Sequence, residues 1–179
     1  GTTYTASSST LSFSDGNSVT ASATAATGYN TSFSSWSSTS GTISANTTIT
    51  ANFTRSIKIY TVTIGRNNTS YGTVSASSVS IPYGTTYSVS GATLTFSNGT
   101  KVTASATAAT GHTTSFSSWS STSGTITGAK TITANFSRSV NNYTVTIERN
   151  NTSYGTVSSS SVSVPYGTTY SVSGATLTF

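Results

Sequence analysis

Apolar and hydroxylated residues alternate at a period of two along most of this chain. Tyr60, Val62 and Ile64 are separated by Thr61 and Thr63, Val79 and Ile81 by Ser80, and Ile132, Ala134 and Phe136 by Thr133 and Asn135. Such alternation puts one face of an extended strand in a core and the other in water, and Thr is itself a good strand former. Turn signals separate the runs: the polar cluster 66–70, then Pro82, Gly84, Gly91 and Asn98-Gly99, with Asp15-Gly16 earlier in the chain. No segment has a convincing helical period. Short alternating runs with a turn signal about every 8–12 residues predict an all-β chain. The residues expected to form the core of its central part are Tyr60, Val62, Ile64, Val74, Val89, Leu94, Phe96, Val102, Phe116, Trp119, Ile126, Ile132 and Phe136.

The Asn98-Gly99 hairpin carries a register constraint. A two-residue loop would put the apolar sets of its two strands on opposite faces of the pair, because side chains alternate strictly along a strand. An odd loop of three or five residues is therefore predicted, with Phe96 opposite Val102 and Leu94 opposite Ala104.

The same pattern recurs along the chain. Residues 1–83 and 84–166 align without a gap at 62 identical positions, an offset that pairs Tyr4 with Tyr87, Phe33 with Phe116, Trp36 with Trp119 and Tyr60 with Tyr143. Self-similarity at a fixed period is the mark of a tandem array. It divides the chain into 1–59, the later part of one unit; 60–142, a whole unit; and 143–179, the opening part of another. Residues 55–59 and 138–142 differ between the copies at three of five positions and are read as connectors. Both ends lie inside units, and a partial unit exposes unpaired strand edges. Either the chain continues beyond both ends, or one subunit's last piece pairs with the next subunit's first, as in donor-strand complementation. Residues 1–13 and 167–179 occupy the same phase and would compete for one site, so covalent continuation into a longer array is the expectation.

Composition narrows the chemistry. Ser and Thr make up 81 of 179 residues, charged residues only 5%, and the net charge is +5. The seven cations are scattered singly, without the clustered stripe of a nucleic-acid reader. There is no cysteine, hence no disulfide and no thiolate metal site. No apolar run is long enough to span a bilayer. His112 is the only histidine, and its counterpart in the other copy is Tyr29; the two carboxylates, Asp15 and Glu148, correspond to Asn98 and Gly65. With no acid or base at the same phase in two copies, neither an enzyme nor a metal or cofactor site is expected. Trp36 and Trp119 suit either a sugar-stacking platform or a core, and a Trp three residues from Phe33 or Phe116 inside a β-module favours the core. The Thr61/Thr63 and Thr131/Thr133 pairs are read as outward faces of strands rather than as ice-binding rows. Ten of twelve asparagines head an Asn-x-Ser/Thr sequon. Asn52, Asn67, Asn68, Asn135, Asn150 and Asn151 are the best placed of these to carry glycans, and O-linked sugar on the Ser/Thr surface is an equal alternative.

The order of Tyr60 to Ile64, Tyr71-Gly72-Thr73-Val74-Ser75, Ser78 to Gly84, then Gly111 followed by Phe116 and Trp119, then Thr131 to Phe136, resembles the divergent internalin-type B-repeat. The resemblance covers the whole repeat. Residues 86–97 depart from it as an inserted strand, and Phe116 lies further from Gly111 than the family's spacing. The resemblance implies β-grasp-like modules in tandem in bacterial and archaeal surface proteins, with no catalytic residues. The expectation is thus an all-β array of small β-grasp-like or β-sandwich-like modules forming a rod or filament, an extracellular structural protein of the cell surface whose partners are neighbouring copies of the same repeat. The alternatives are an adhesin that binds glycans or a host surface, and a spacer for another domain.

Overall fold

The computed structural model describes all 179 residues, Gly1–Phe179. It is all-β, with nineteen strands and no helix. In chain order these are β1 (Thr3–Ser7), β2 (Thr10–Phe13), β3 (Ser18–Thr20), β4 (Tyr29–Trp36), β5 (Ser40–Thr42), β6 (Ala51–Ile57), β7 (Ile59–Arg66), β8 (Gly72–Val74), β9 (Ser78–Pro82) and β10 (Thr86–Ser90). Then follow β11 (Thr93–Phe96), β12 (Lys101–Ala106), β13 (His112–Trp119), β14 (Ser123–Thr125), β15 (Lys130–Val140), β16 (Asn142–Thr146), β17 (Ser161–Pro165), β18 (Ser171–Ser173) and β19 (Thr176–Thr178). The chain divides into two compact units. The first comprises Gly1–Val62, Ser80–Thr86 and Thr125–Lys130; the second comprises Thr63–Val79, Tyr87–Gly124 and Thr131–Phe179.

In the first unit a sheet of order β3-β2-β1-β5 stands with the separate antiparallel pair β4-β6. Its core is Tyr4, Leu11 and Trp36, with Phe13, Phe33, Ile43, Ile49 and Ala51 packed on them. The β4-β6 pair sets Phe33 opposite Phe53 and Trp36 opposite Ala51, with a bulge between Phe33 and Ser35. That bulge turns both Phe33 and Trp36 toward one face despite their odd spacing.

In the second unit β11, β12 and β8 are successive antiparallel neighbours, within a sheet of order β14-β10-β11-β12-β8. The β13-β15 pair repeats the geometry of β4-β6, with Phe116 opposite Phe136, Trp119 opposite Ala134, and the bulge between Phe116 and Ser118. It belongs to a sheet of order β13-β15-β7-β9. Two further hairpins, β16-β17 and β18-β19, complete the strand pairing. Of the expected core, Val62, Ile64, Leu94, Phe96, Val102, Trp119, Ile126, Ile132 and Phe136 are buried. Tyr60, Val74, Val89 and Phe116 are only half-buried. Ile81, Tyr87, Ala104 and Ala134 are buried and were not among those expected.

Two local expectations are corrected. The β11-β12 loop is odd, which keeps the apolar sets together, but Leu94 faces Val102 and not Ala104. Phe96 N–H instead donates to Thr100 O (2.8 Å), so the loop is 97–99. The cause is an Asx turn: Thr100 N–H donates to Asn98 Oδ1 (3.1 Å) and Gly99 takes φ +90°, which centres the loop on Asn98. Asp15 does the same for Asn17, and Leu11 faces Val19.

The supposed connectors are not loops either. β15 runs to Val140, and only Lys58 separates β6 from β7. Lys58 N–H donates to Gly28 O (2.9 Å) and Lys58 O accepts from Tyr83 N–H (2.8 Å); Asn141 does the same with Gly111 (2.9 Å) and Tyr166 (2.8 Å). The backbone is held while Ile57, Ile59 and Val140 point to solvent, so side-chain identity there is free to drift.

Candidate functional site

The second unit contains a strand socket that is filled. β8 adds to the end of β12 with Val74 opposite Ala104, Thr73 opposite Ser105 and Gly72 opposite Ala106. Beyond it, Thr107 N–H donates to Tyr71 O (2.9 Å) and Ser75 N–H donates to Thr103 O (2.9 Å). Phe136 lies against Gly72 so closely that a Cβ on that residue would fall within the ring. Only glycine lets an aromatic face approach the backbone in this way. Phe136 in turn meets Phe116 edge-on (5.8 Å, 78°), and Phe116 leans on Trp119 (5.8 Å).

Two polar side chains lock the added strand. Asn67 Nδ2 donates to Phe136 O (2.9 Å) while Phe136 N–H donates to Asn67 Oδ1 (2.9 Å), so one amide satisfies both polar atoms of a β15 residue. Arg138 donates from Nε to Thr114 Oγ1 (3.1 Å) and from a terminal nitrogen to Ser70 O (2.7 Å), and its guanidinium lies 4.4 Å from the Tyr71 ring centroid. Before the strand, Ser70 N–H donates to Asn68 Oδ1 (2.8 Å) and Arg66 donates to Gly72 O (3.1 Å), which shape the turn that delivers it.

In the first unit no strand among residues 1–179 lies over the corresponding place. A groove of about 360 Å³ is lined by Ser22, Ala23, Thr24, Thr31, Phe53, Thr54 and Arg55. These are the residues 83 positions before Ser105, Ala106, Thr107, Thr114, Phe136, Ser137 and Arg138. The aromatic floor is the same: Phe33 meets Phe53 edge-on (5.9 Å, 81°) and leans on Trp36 (5.6 Å). Arg55 has no such strand to grip and its guanidinium lies 5.4 Å from the Tyr29 ring centroid. Phe53 is 50% exposed against 3% for Phe136.

The residues singled out from the sequence fall in several places. Trp36 and Trp119 are buried (9% and 4% exposed), so neither offers a ring face to a sugar; Phe33 and Phe116 are half-buried beside them. Both indole N–H groups are enclosed without a hydrogen-bond partner. Among the asparagines, Asn67 has both amide atoms engaged with Phe136. Asn52 and Asn135 donate to Ser35 (3.3 Å) and Ser118 (3.2 Å) on the neighbouring strand. Asn68 and Asn151 engage only Oδ1, in Asx turns with Ser70 and Ser153, and Asn150 is exposed. The sequence reading missed Gly72, Tyr71 and Arg138 as a set, although the decapeptide 66–75 recurs without change at 149–158.

Titratable chemistry is sparse. The backbone N–H and side-chain amide of Asn17 donate to Asp15 and hold its carboxyl below the ordinary value. His112 is half-buried, its Nδ1 2.8 Å from Thr110 O and its ring edge-on to Tyr166 (6.3 Å). No group of three or more His, Asp or Glu is positioned to hold a metal ion, and no helix is long and apolar enough to cross a membrane. No protein-family model, curated protein or solved structure matches this chain.

Proposed function

We propose that this chain is a structural, extracellular tandem-repeat protein that builds a stalk, fibre or filament at a cell surface from modules like internalin-type B-repeats. The observation that carries this reading is a joint made twice with the same atoms. In one, Gly28 O accepts from Lys58 N–H, Lys58 O accepts from Tyr83 N–H, and the Tyr83 ring lies where a Cβ of Gly28 would be. In the other, Gly111, Asn141 and Tyr166 repeat each of these contacts 83 residues later. Both glycines have positive φ (+78° and +71°), so the position resists any other residue on two counts. A joint specified by backbone bonds and a glycine-tyrosine contact can be added once per period without limit, the logic of a linear array. The hydroxylated, weakly charged surface suits lateral packing of such arrays, and the sequons at Asn68 and Asn151, which engage only Oδ1 in their turns, suit glycan attachment outside the cell.

Electron microscopy of native material tests the reading. Long fibres of uniform width are expected; discrete globular particles would overturn it. Intact-mass measurement of the same material should exceed the chain mass if glycans are attached.

A further inference from the structure

We propose that the groove in the first unit is a docking site for residues 149–158 of a second copy of this chain, which enter it as an added β-strand. This deepens the array reading and rests on it, by naming the segment and the socket that join two copies.

The molecule already contains the docked state. In the second unit the decapeptide 66–75 occupies a socket formed by Ser105, Ala106, Thr107, Thr114, Phe136 and Arg138. The groove has the same residue at each corresponding place on this list. Its would-be occupant, 149–158, is identical to 66–75 at all ten positions. Within this chain that segment pairs with no strand: Tyr154 is 84% exposed, and nothing lies within 4 Å of where a Cβ of Gly155 would be.

The donor is also preshaped. Ser153 N–H donates to Asn151 Oδ1 (2.8 Å) and Arg149 donates to Gly155 O (3.0 Å), the same two bonds that shape the docked copy. Binding therefore orders little of the turn, which lowers its entropic cost. In the groove, Gly155 would bring its backbone against the Phe53 ring, Asn150 would clasp the backbone polar atoms of Phe53, and Arg55 would move from Tyr29 to cover Tyr154. Backbone pairing to 21–24 gives affinity, and the glycine under Phe53 sets the register, which is the division of labour in β-strand addition. Residues 167–179, which duplicate 1–13, lie after the donated stretch, so the two copies of that hairpin need not compete for the joint.

Cysteine crosslinking between full-length chains tests this, because the chain has no cysteine of its own. Thr73 and Ser105 are direct cross-strand partners in the filled socket, so Thr156 and Ser22 are predicted partners in the joint, and side chains opposite one another on antiparallel strands lie within reach of a disulfide. Ser22→Cys chains mixed with Thr156→Cys chains under mild oxidation should give a disulfide-linked species at twice the 18.2 kDa chain mass, several-fold above the mixture of Ser22→Cys with Thr73→Cys. Adding Gly155→Val to the Thr156→Cys chain should abolish that species while leaving its thermal melting unchanged, since the new side chain meets open space in its own chain. Equal crosslinking in the Thr73→Cys mixture, or undiminished crosslinking with Gly155→Val, would overturn the proposal. Fibres without the specific crosslink would overturn the docking and leave the array reading standing; the crosslink without fibres in native material would keep the docking and sink the array reading.

Discussion

Phe53 and Phe136 stand at the same place in two strand pairs of the same register, each edge-on to a phenylalanine that leans on a tryptophan, yet one is half exposed and the other nearly sealed. The difference lies in neither strand pair. It lies in residues 66–75, which lay a glycine over Phe136 and clasp its backbone through Asn67, and which have no counterpart over Phe53. A residue's place in the repeat thus sets its partners along the β-pair, while a segment some 60–70 residues earlier in sequence decides whether the site is closed.

The two sites should differ most at the aromatic floor. Phe136→Ala should cost about 3–5 kcal/mol, as for other buried large-to-small changes, whereas Phe53→Ala should cost much less because half of that side chain is already in water. Denaturant unfolding of the two variants measures this, and equal losses would contradict the difference in burial. Trp119→Ala should fall in the same large range, and Trp119→Phe should cost distinctly less because it also removes an enclosed N–H that has no acceptor.

The glycine under the ring comes next. Gly72→Ala would force a methyl into the Phe136 ring and should cost about 1–3 kcal/mol by overpacking, while the same change at Gly155 should lie within about 0.5 kcal/mol of wild type, as the space there is open. Neither glycine has a positive φ, so the contrast isolates the contact from backbone strain.

Asn67→Ala should cost about 1–3 kcal/mol, because it leaves both backbone groups of Phe136 without their clasp, and Asn150→Ala should be close to silent. Thermal melting of the pair distinguishes a specific clasp from a merely polar surface position.

The smallest effect is expected at Asp15. Asn98 makes the same turn bond in the other copy, so Asp15→Asn should melt like wild type at neutral pH. The folded-state pKa of Asp15 is lowered, so whatever stability its carboxylate contributes is present above its ordinary value and is lost as the pH falls through the lowered one. The variant should lack that acid-side loss. Because the group lies on the surface, the difference in melting temperature between neutral and acid pH should be slight.

Sequence pattern specifies some of these elements and not others. Alternation at period two marked β7, β9, β11 and β15, because a strand with one buried face must alternate whatever lies on that face. The odd hairpin loop followed from the same rule. Its centre did not, since side chains alternate identically whether Leu94 faces Val102 or Ala104, and the Asx turn at Asn98 chose between them. The divergence of 55–59 from 138–142 looked like loop sequence, yet it is strand whose outward side chains are unconstrained. Phe136 and Trp119 were expected in the core from size and spacing. Gly72 and Arg138 were not recognised as a closing device, because a glycine's neighbour and an arginine's reach depend on strands far away in sequence.

By itself the sequence determined the strand faces, the repeat offset and the turn residues, since all of these arise from alternation, identity and the φ preferences of a few residues. Tertiary structure alone decided what each strand pairs with. Residues 21–28 and 104–111 are the same eight letters, Ala-Ser-Ala-Thr-Ala-Ala-Thr-Gly, but 104–106 lie in β12 while β3 ends at Thr20 and 21–25 belong to no strand. The strand state of 104–106 comes with the hydrogen bonds of β8, and no local propensity can supply a partner that is not there.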